Sequence, residues 1–102
     1  MMEPSFRAIA ILQAKGGEEQ ALLDFTLSAL REIQNVDGLR SVEVVQSVSD
    51  PGQLVLYYRW ESLEASARYV AGPAYAKIAP RLQALLQDHV LVLGKVVSAS
   101  TG

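Results

Sequence analysis

The stretch Asp50-Pro51-Gly52-Gln53-Leu54-Val55-Leu56-Tyr57-Tyr58-Arg59-Trp60 decides how the rest of the chain reads. Asp-Pro-Gly is strong turn chemistry, because proline presets φ for the second turn position and glycine relieves the steric limit after it. Leu54 to Trp60 then runs through apolar and aromatic residues without a break, the most β-like stretch of the sequence. Leu39 to Val48, on the other side of the turn, reads as the first arm of the same hairpin.

Working outward, Phe6 to Gln13 is a short apolar run between Pro4 and Gly16-Gly17, with the length and central β-branched content of a strand. From Glu18 the period changes: Leu22, Phe25, Ala29, Ile33 and Val36 recur every three to four residues, which predicts a helix over 18–36. Glu18 and Glu19 suit its first turn, and Asp37-Gly38 closes it, since glycine takes the left-handed conformation a helix end favours. Beyond Trp60, Glu61 to Ala71 is alanine-rich and helical in pattern. Gly72-Pro73 interrupts it and starts another short helix. Pro80 predicts a further break or kink, with a helical pattern resuming over 81–87. Val90 to Val97 reads as the last strand, and no repeat or linker interrupts the chain.

The order strand, helix, strand, strand, broken helix, strand is the split βαβ pattern. It predicts a ferredoxin-like α+β fold, βαββαβ, with a four-stranded antiparallel sheet and helices on one face. A length of 102 residues fits one domain over 1–102, with its core in 6–97.

Composition narrows the function classes. Nine Lys+Arg stand against eleven Asp+Glu, a net charge of −2, which disfavours a phosphate-tracking surface and nucleic-acid partners. An RNA-recognition module shares this strand order but needs exposed aromatics on the central strands and a basic sheet face. The first strand offers only Phe6 and Arg7. No apolar run is long enough to cross a membrane, and Met1 to Arg7 lacks the apolar region of a signal peptide, so a cytoplasmic location is expected. Without cysteine there is no disulfide, thiolate metal site or cysteine nucleophile. No metal site or cofactor is expected: the single histidine, His89, has no carboxylate–histidine cluster at helical spacing. It reads as a residue of the turn between the last helix and strand. Gly16-Gly17 is too short for a phosphate loop, and there is no Gly-x-Ser-x-Gly elbow.

The strands do not alternate cleanly. Leu54, Leu56, Tyr58 and Trp60 point one way and Val55 and Tyr57 the other; Leu91, Leu93 and Val97 oppose Val90, Val92 and Val96. A strand apolar on both faces expects cover on both, and two helical segments cover one. Four strands about 4.8 Å apart and roughly 20 Å long leave an open face of roughly 400 Å², at the upper end of what a monomer exposes. A two-fold homodimer is therefore predicted.

The segment Ser49 to Ala65, with its hairpin turn, aromatic strand ending in Trp60 and following helix, resembles the centre of antibiotic-biosynthesis-monooxygenase domains. The resemblance extends over 6–97: the opening strand, the glycine turn before the long helix, the Asp-Gly after it and the valine-rich closing strand. It implies a dimeric α+β barrel and a cofactor-independent monooxygenase acting on a small aromatic or quinol substrate with dioxygen. The chain departs from the family where chemistry sits. Quinol-oxidising members carry a Glu two residues before the Trp, a His on the following helix and a second His after the Gly-Pro step; here these positions hold Tyr58, Tyr69 and Ala74. Polyketide-oxidising members carry an Asn where this chain has Leu56, and of the residues haem-degrading relatives use, only Trp60 is matched. The alternative reading is therefore a non-catalytic, dimeric small-molecule-binding member of the same fold.

The candidate pocket residues are Trp60, Tyr58, Tyr69, Tyr75 and Arg81. Trp60 reads either as a wall of an aromatic-substrate pocket, its N–H free for a substrate oxygen, or as a core residue. Tyr58 shares a face with Trp60 by parity, so Tyr57 is expected in the core. Tyr69 and Tyr75 lie on the broken helix that would cover the pocket, where a phenol is a hydrogen-bond donor but a poor base at neutral pH. Arg68 and Arg81 flank the same region and read either as a hold for an anionic substrate or as solvated surface.

Overall fold

The computed structural model describes residues 6–100. Strands β1 (Phe6–Ala14), β2 (Leu39–Gln46), β3 (Gln53–Trp60) and β4 (Leu86–Lys95) form one antiparallel sheet in the order β2-β3-β1-β4. Helices α1 (Glu19–Ile33), α2 (Leu63–Ala71) and α3 (Pro73–Leu85) complete the predicted βαββαβ order, with the second helical segment divided in two.

The hairpin forms as its sequence requires. The Asp50 carboxylate accepts from Gly52 N–H at 2.9 Å, and Gln53 N–H donates to the Asp50 carbonyl at 3.0 Å. Gly52 C=O in turn accepts from Ala14 N–H at 2.8 Å, tying the turn to the end of β1.

Register sorts the strands into two faces. Phe6, Ala8, Ala10 and Leu12 of β1 stand opposite Trp60, Tyr58, Leu56 and Leu54 of β3. This row packs under the helices: Leu12, Leu54 and Leu56 cluster with Leu22 of α1 and Leu85 of α3, while Ala8 and Trp60 cluster with Ala65 of α2. The other face carries Ile9, Ile11, Val45, Val55, Tyr57, Val90 and Val92 with no helix over it. Tyr57 lies here, 41% exposed, and not in the core as its parity was read: the helices cover the opposite side.

Three further expectations are corrected. The long helix stops at Ile33, short of Val36, and Gly38 (φ +84°) sits in the turn that starts β2. Pro80 does not break α3, which runs unbroken from Pro73 to Leu85. Losing one helical hydrogen bond and accommodating the ring costs about 3 kcal/mol, whereas burying Ile78 and Leu85 on the packed side of the same helix contributes about 1.5–3 kcal/mol each. Residues 86 and 87 are strand and not helix, because α3 passes into β4 without a loop. Lys15 N–H donates to Leu85 C=O at 3.0 Å and pins that junction to the end of β1.

One residue there sets the phase of β4. Ala14 pairs with Leu86 and Gln13 with Asp88, so Gln87 bulges out of the ladder. Leu86 and then His89, Leu91 and Leu93 consequently face the helix side, opposite Ala14, Leu12, Ala10 and Ala8.

Candidate functional site

β3 places Tyr58 and Trp60 on the helix side because residues two apart share a face. α2 starts cleanly: Ser62 caps it, its hydroxyl accepting from Ala65 N–H at 3.1 Å. That start sets Ser66 and Tyr69 over the sheet. Pro73 at the first position of α3 fixes a second start, which brings Tyr75 beside Tyr69.

The result is a continuous row of aromatic rings from three elements. Tyr58 and Trp60 stack with centroids 6.3 Å apart and planes 20° apart. Trp60 meets Tyr69 at 5.6 Å, and Tyr69 meets Tyr75 edge-on at 5.5 Å. Such pairs contribute about 0.5–1.5 kcal/mol each beyond their burial. The row walls a cavity of about 820 Å³ between the sheet and α2 and α3. Small side chains make the space: Ala8 and Ala10 form the floor, and Ser66 and Ala67 part of the roof. α2 and α3 do not reach across β4, so Leu91 and Leu93 stay 54% and 55% exposed although they face the helix side. The cavity opens there.

Trp60 is 4% exposed, yet none of the side-chain hydrogen bonds among the described residues involves its N–H. That nitrogen is also not sealed. The one sealed, unpartnered side-chain polar atom among the described residues is the Thr26 hydroxyl of α1, behind the tyrosines. Its burial costs about 1–3 kcal/mol, and nothing in the structure explains its presence. The Trp60 N–H and the phenols of Tyr58, Tyr69 and Tyr75 are thus donors without protein acceptors among the described residues.

Burial pushes the Tyr69 phenol up to about 12, with the neighbouring Tyr75 adding to the shift. Tyr58 is raised further by its deeper burial and by Tyr69 and Tyr75. Both are neutral donors at neutral pH. The unfolded chain releases these protons near pH 10, while the folded chain holds them longer, so their stabilising contribution is complete below about pH 10 and vanishes as pH climbs through about 12. Thermal melts are expected to be flat from about pH 7 to 9 and to fall from about pH 10 upward. Replacing Tyr58 and Tyr69 together by Phe should flatten that alkaline fall; an unchanged slope would refute the assignment.

Of the five sequence candidates, Trp60, Tyr58, Tyr69 and Tyr75 come together at the cavity, whereas Arg81 lies exposed on α3 and does not line it. Arg68 is also exposed and pairs with Asp37 at 3.8 Å, a surface contact worth little. His89 lies within β4 at the cavity rim, not in a turn, because the strand begins at Leu86. Sequence reasoning passed over Ser66 and Lys95, which line the cavity. Among the described residues no group of three or more His, Asp or Glu could hold a metal, and no helix is long and apolar enough to cross a membrane.

Fold and site together define a ferredoxin-like α+β protein with an open, aromatic-walled cavity between its sheet and helix layer. Comparison with solved structures finds the same architecture in a Pseudomonas aeruginosa protein, TM-score 0.85 at 17% identity over 96% of this chain and 99% of that one. An antibiotic biosynthesis monooxygenase (TM-score 0.82, 19% identity, 91% of this chain and 99% of the other) shares it too. So does a Mycobacterium tuberculosis protein (0.77, 21%, 95% and 97%). The search of curated proteins finds no match. The antibiotic biosynthesis monooxygenase family model matches residues 5–81, and the chain belongs to that family.

Proposed function

We propose that the protein is a homodimeric, cofactor-independent monooxygenase for a small aromatic phenol or quinol. The observation that carries this is the row of four aromatic side chains along one 820 Å³ cavity. Its walls suit a flat ring, and its unpartnered N–H and O–H donors suit the ring's oxygen atoms. The chemistry balances without an external reductant. A phenol with a C–H para to its hydroxyl takes up one oxygen atom of dioxygen and leaves as the quinone, while the other oxygen departs as water with two substrate hydrogens. Within this reading Trp60, Tyr58, Tyr69 and Tyr75 bind and orient the ring and exclude water. The helix-free face, with Ile9, Ile11, Val55 and Val92, supports pairing with a second copy.

A second reading is favoured by one specific observation. Among the described residues no carboxylate lines the cavity, and the phenols that replace the family's acid and imidazole groups are held neutral, so none of these residues is a base deep in the site. The chain would then bind an aromatic ligand without turning it over.

Dioxygen uptake with a panel of naphthols and hydroquinones, alongside ligand binding followed by the fluorescence of Trp60, the only tryptophan, separates the two. Uptake abolished by Trp60→Phe with Tyr58→Phe supports the enzyme. Saturable binding without uptake supports the binder, and neither binding nor uptake by a folded sample discards both. Light scattering on the same sample tests the dimer: a mass near 11 kDa at micromolar concentration rejects it.

A further inference from the structure

The charged groups around the cavity are unevenly drawn. The chain holds more acidic than basic residues, yet among the described residues no Asp or Glu lines the cavity; the basic side chains that do are Lys95 and His89. Both stand on β4's inner row, Lys95 paired with Phe6 and His89 with Leu12, with Leu91 and Leu93 between them. The one ion pair among the described residues is Arg68–Asp37, so Lys95 has no anionic partner there. Phe6 pairs with Lys95 on one side and Trp60 on the other. Lys95 and Trp60 therefore stand at the same end of the cavity, their backbones two strand spacings or about 10 Å apart.

We propose that the ligand of this cavity is an aromatic carboxylate, its ring against Trp60 and Leu93 and its anionic group held by Lys95. The proposal rests on the cavity binding an aromatic molecule and adds the charge. Three features support it independently. At this end of the cavity the Trp60 N–H and the Lys95 ammonium are donors only, and the tyrosine hydroxyls can donate too, so an acceptor-rich anion finds several donors. An apolar cavity without acidic groups leaves the Lys95 charge uncompensated, and a low-dielectric wall strengthens its attraction for an anion. The two-strand separation matches the reach of one or two fused rings bearing a terminal carboxylate.

The test compares 2-naphthoate with 2-naphthalenemethanol, its neutral analogue of similar shape, by calorimetry on the full chain. The carboxylate is expected to bind about fivefold more tightly at low ionic strength, with the advantage shrinking as salt is added. Lys95→Gln, at an exposed position, should erase the advantage while leaving the alcohol's affinity unchanged. Arg81→Gln, exposed on α3 outside the cavity, should leave both affinities unchanged, and His89→Gln should leave the carboxylate's advantage in place. Equal affinity of the two ligands for the unmodified chain overturns the charge assignment while leaving the aromatic-binding reading intact. Loss of the preference in His89→Gln instead overturns the assignment to Lys95. If neither ligand binds, the underlying reading fails and this proposal with it.

Discussion

Gly38→Ala is expected to lose about 2–5 kcal/mol of folding free energy, a large share of the 5–15 kcal/mol typical of a domain this size. Two penalties add. Gly38 has φ +84°, a left-handed conformation that costs an L-residue roughly 1–2 kcal/mol. A β-carbon there would also stand 2.5 Å from Cβ of Ala65, which is 1% exposed and cannot yield without moving α2. Overpacking of that kind costs about 1–3 kcal/mol. The site transmits the strain directly: Gly38 C=O accepts from Glu61 N–H at 2.8 Å, immediately after Trp60, and Ala65 packs against Trp60 itself. Urea unfolding followed by Trp60 fluorescence, at unchanged m-value, measures the loss. A loss under about 1 kcal/mol would mean that the close approach of the β2 turn to α2 is wrongly described.

Trp60→Ala should cost about 3–5 kcal/mol, the range for removing a buried tryptophan ring. Its indole is the middle of the aromatic row, touching Tyr58 on one side and Tyr69 on the other, and it closes the cluster formed by Ala8 and Ala65. Truncation breaks both ring pairs and opens the end of the cavity. Ligand affinity should fall at least tenfold, more than the about 1.4 kcal/mol that corresponds to that factor. Trp60→Phe separates the two effects: it retains a ring for packing but removes the N–H, so it should melt close to the parent while binding oxygen-bearing aromatics more weakly. If Trp60→Phe binds such ligands as well as the parent, the indole N–H plays no part in recognition. Retention of parent-like stability by Trp60→Ala would place the indole outside the core.

How far the sequence alone reaches can be judged at particular residues. The Asp50-Pro51-Gly52 turn and the parity of Leu54 to Trp60 were legible because turn chemistry and period-2 patterning act locally. The same parity brought Tyr58 and Trp60 to one face. What parity does not reveal is which face the helices cover, and so Tyr57 was expected in the core and lies on the bare side. Pro80 misled because the local rule against proline in a helix is outweighed by burial of Ile78 and Leu85, a tertiary effect. The meeting of Tyr69 and Tyr75 depends on the angle between α2 and α3 at Gly72-Pro73, which spacing does not encode. The Ser62 cap did carry a signal, a serine three residues before Ala65 at the start of a helical pattern, and was passed over. Lys95 carried none: a lysine near the end of a strand looks the same whether it guards an edge or faces a cavity.

The unpaired Gln87 has a corollary for changes in chain length. Drawn into regular pairing, it would turn Asp88, Val90 and Val92 inward and send Leu91 and Leu93 to the bare side. Deleting it would leave both rows where they are. A deletion at any position from Asp88 to Val90 is absorbed in the same way, by Gln87 entering the ladder, so Leu91, Leu93 and Lys95 keep their face; a second deletion finds no bulge left and inverts everything downstream. Shortening of this strand by one residue, natural or engineered, therefore leaves the cavity wall in place, and shortening by two does not.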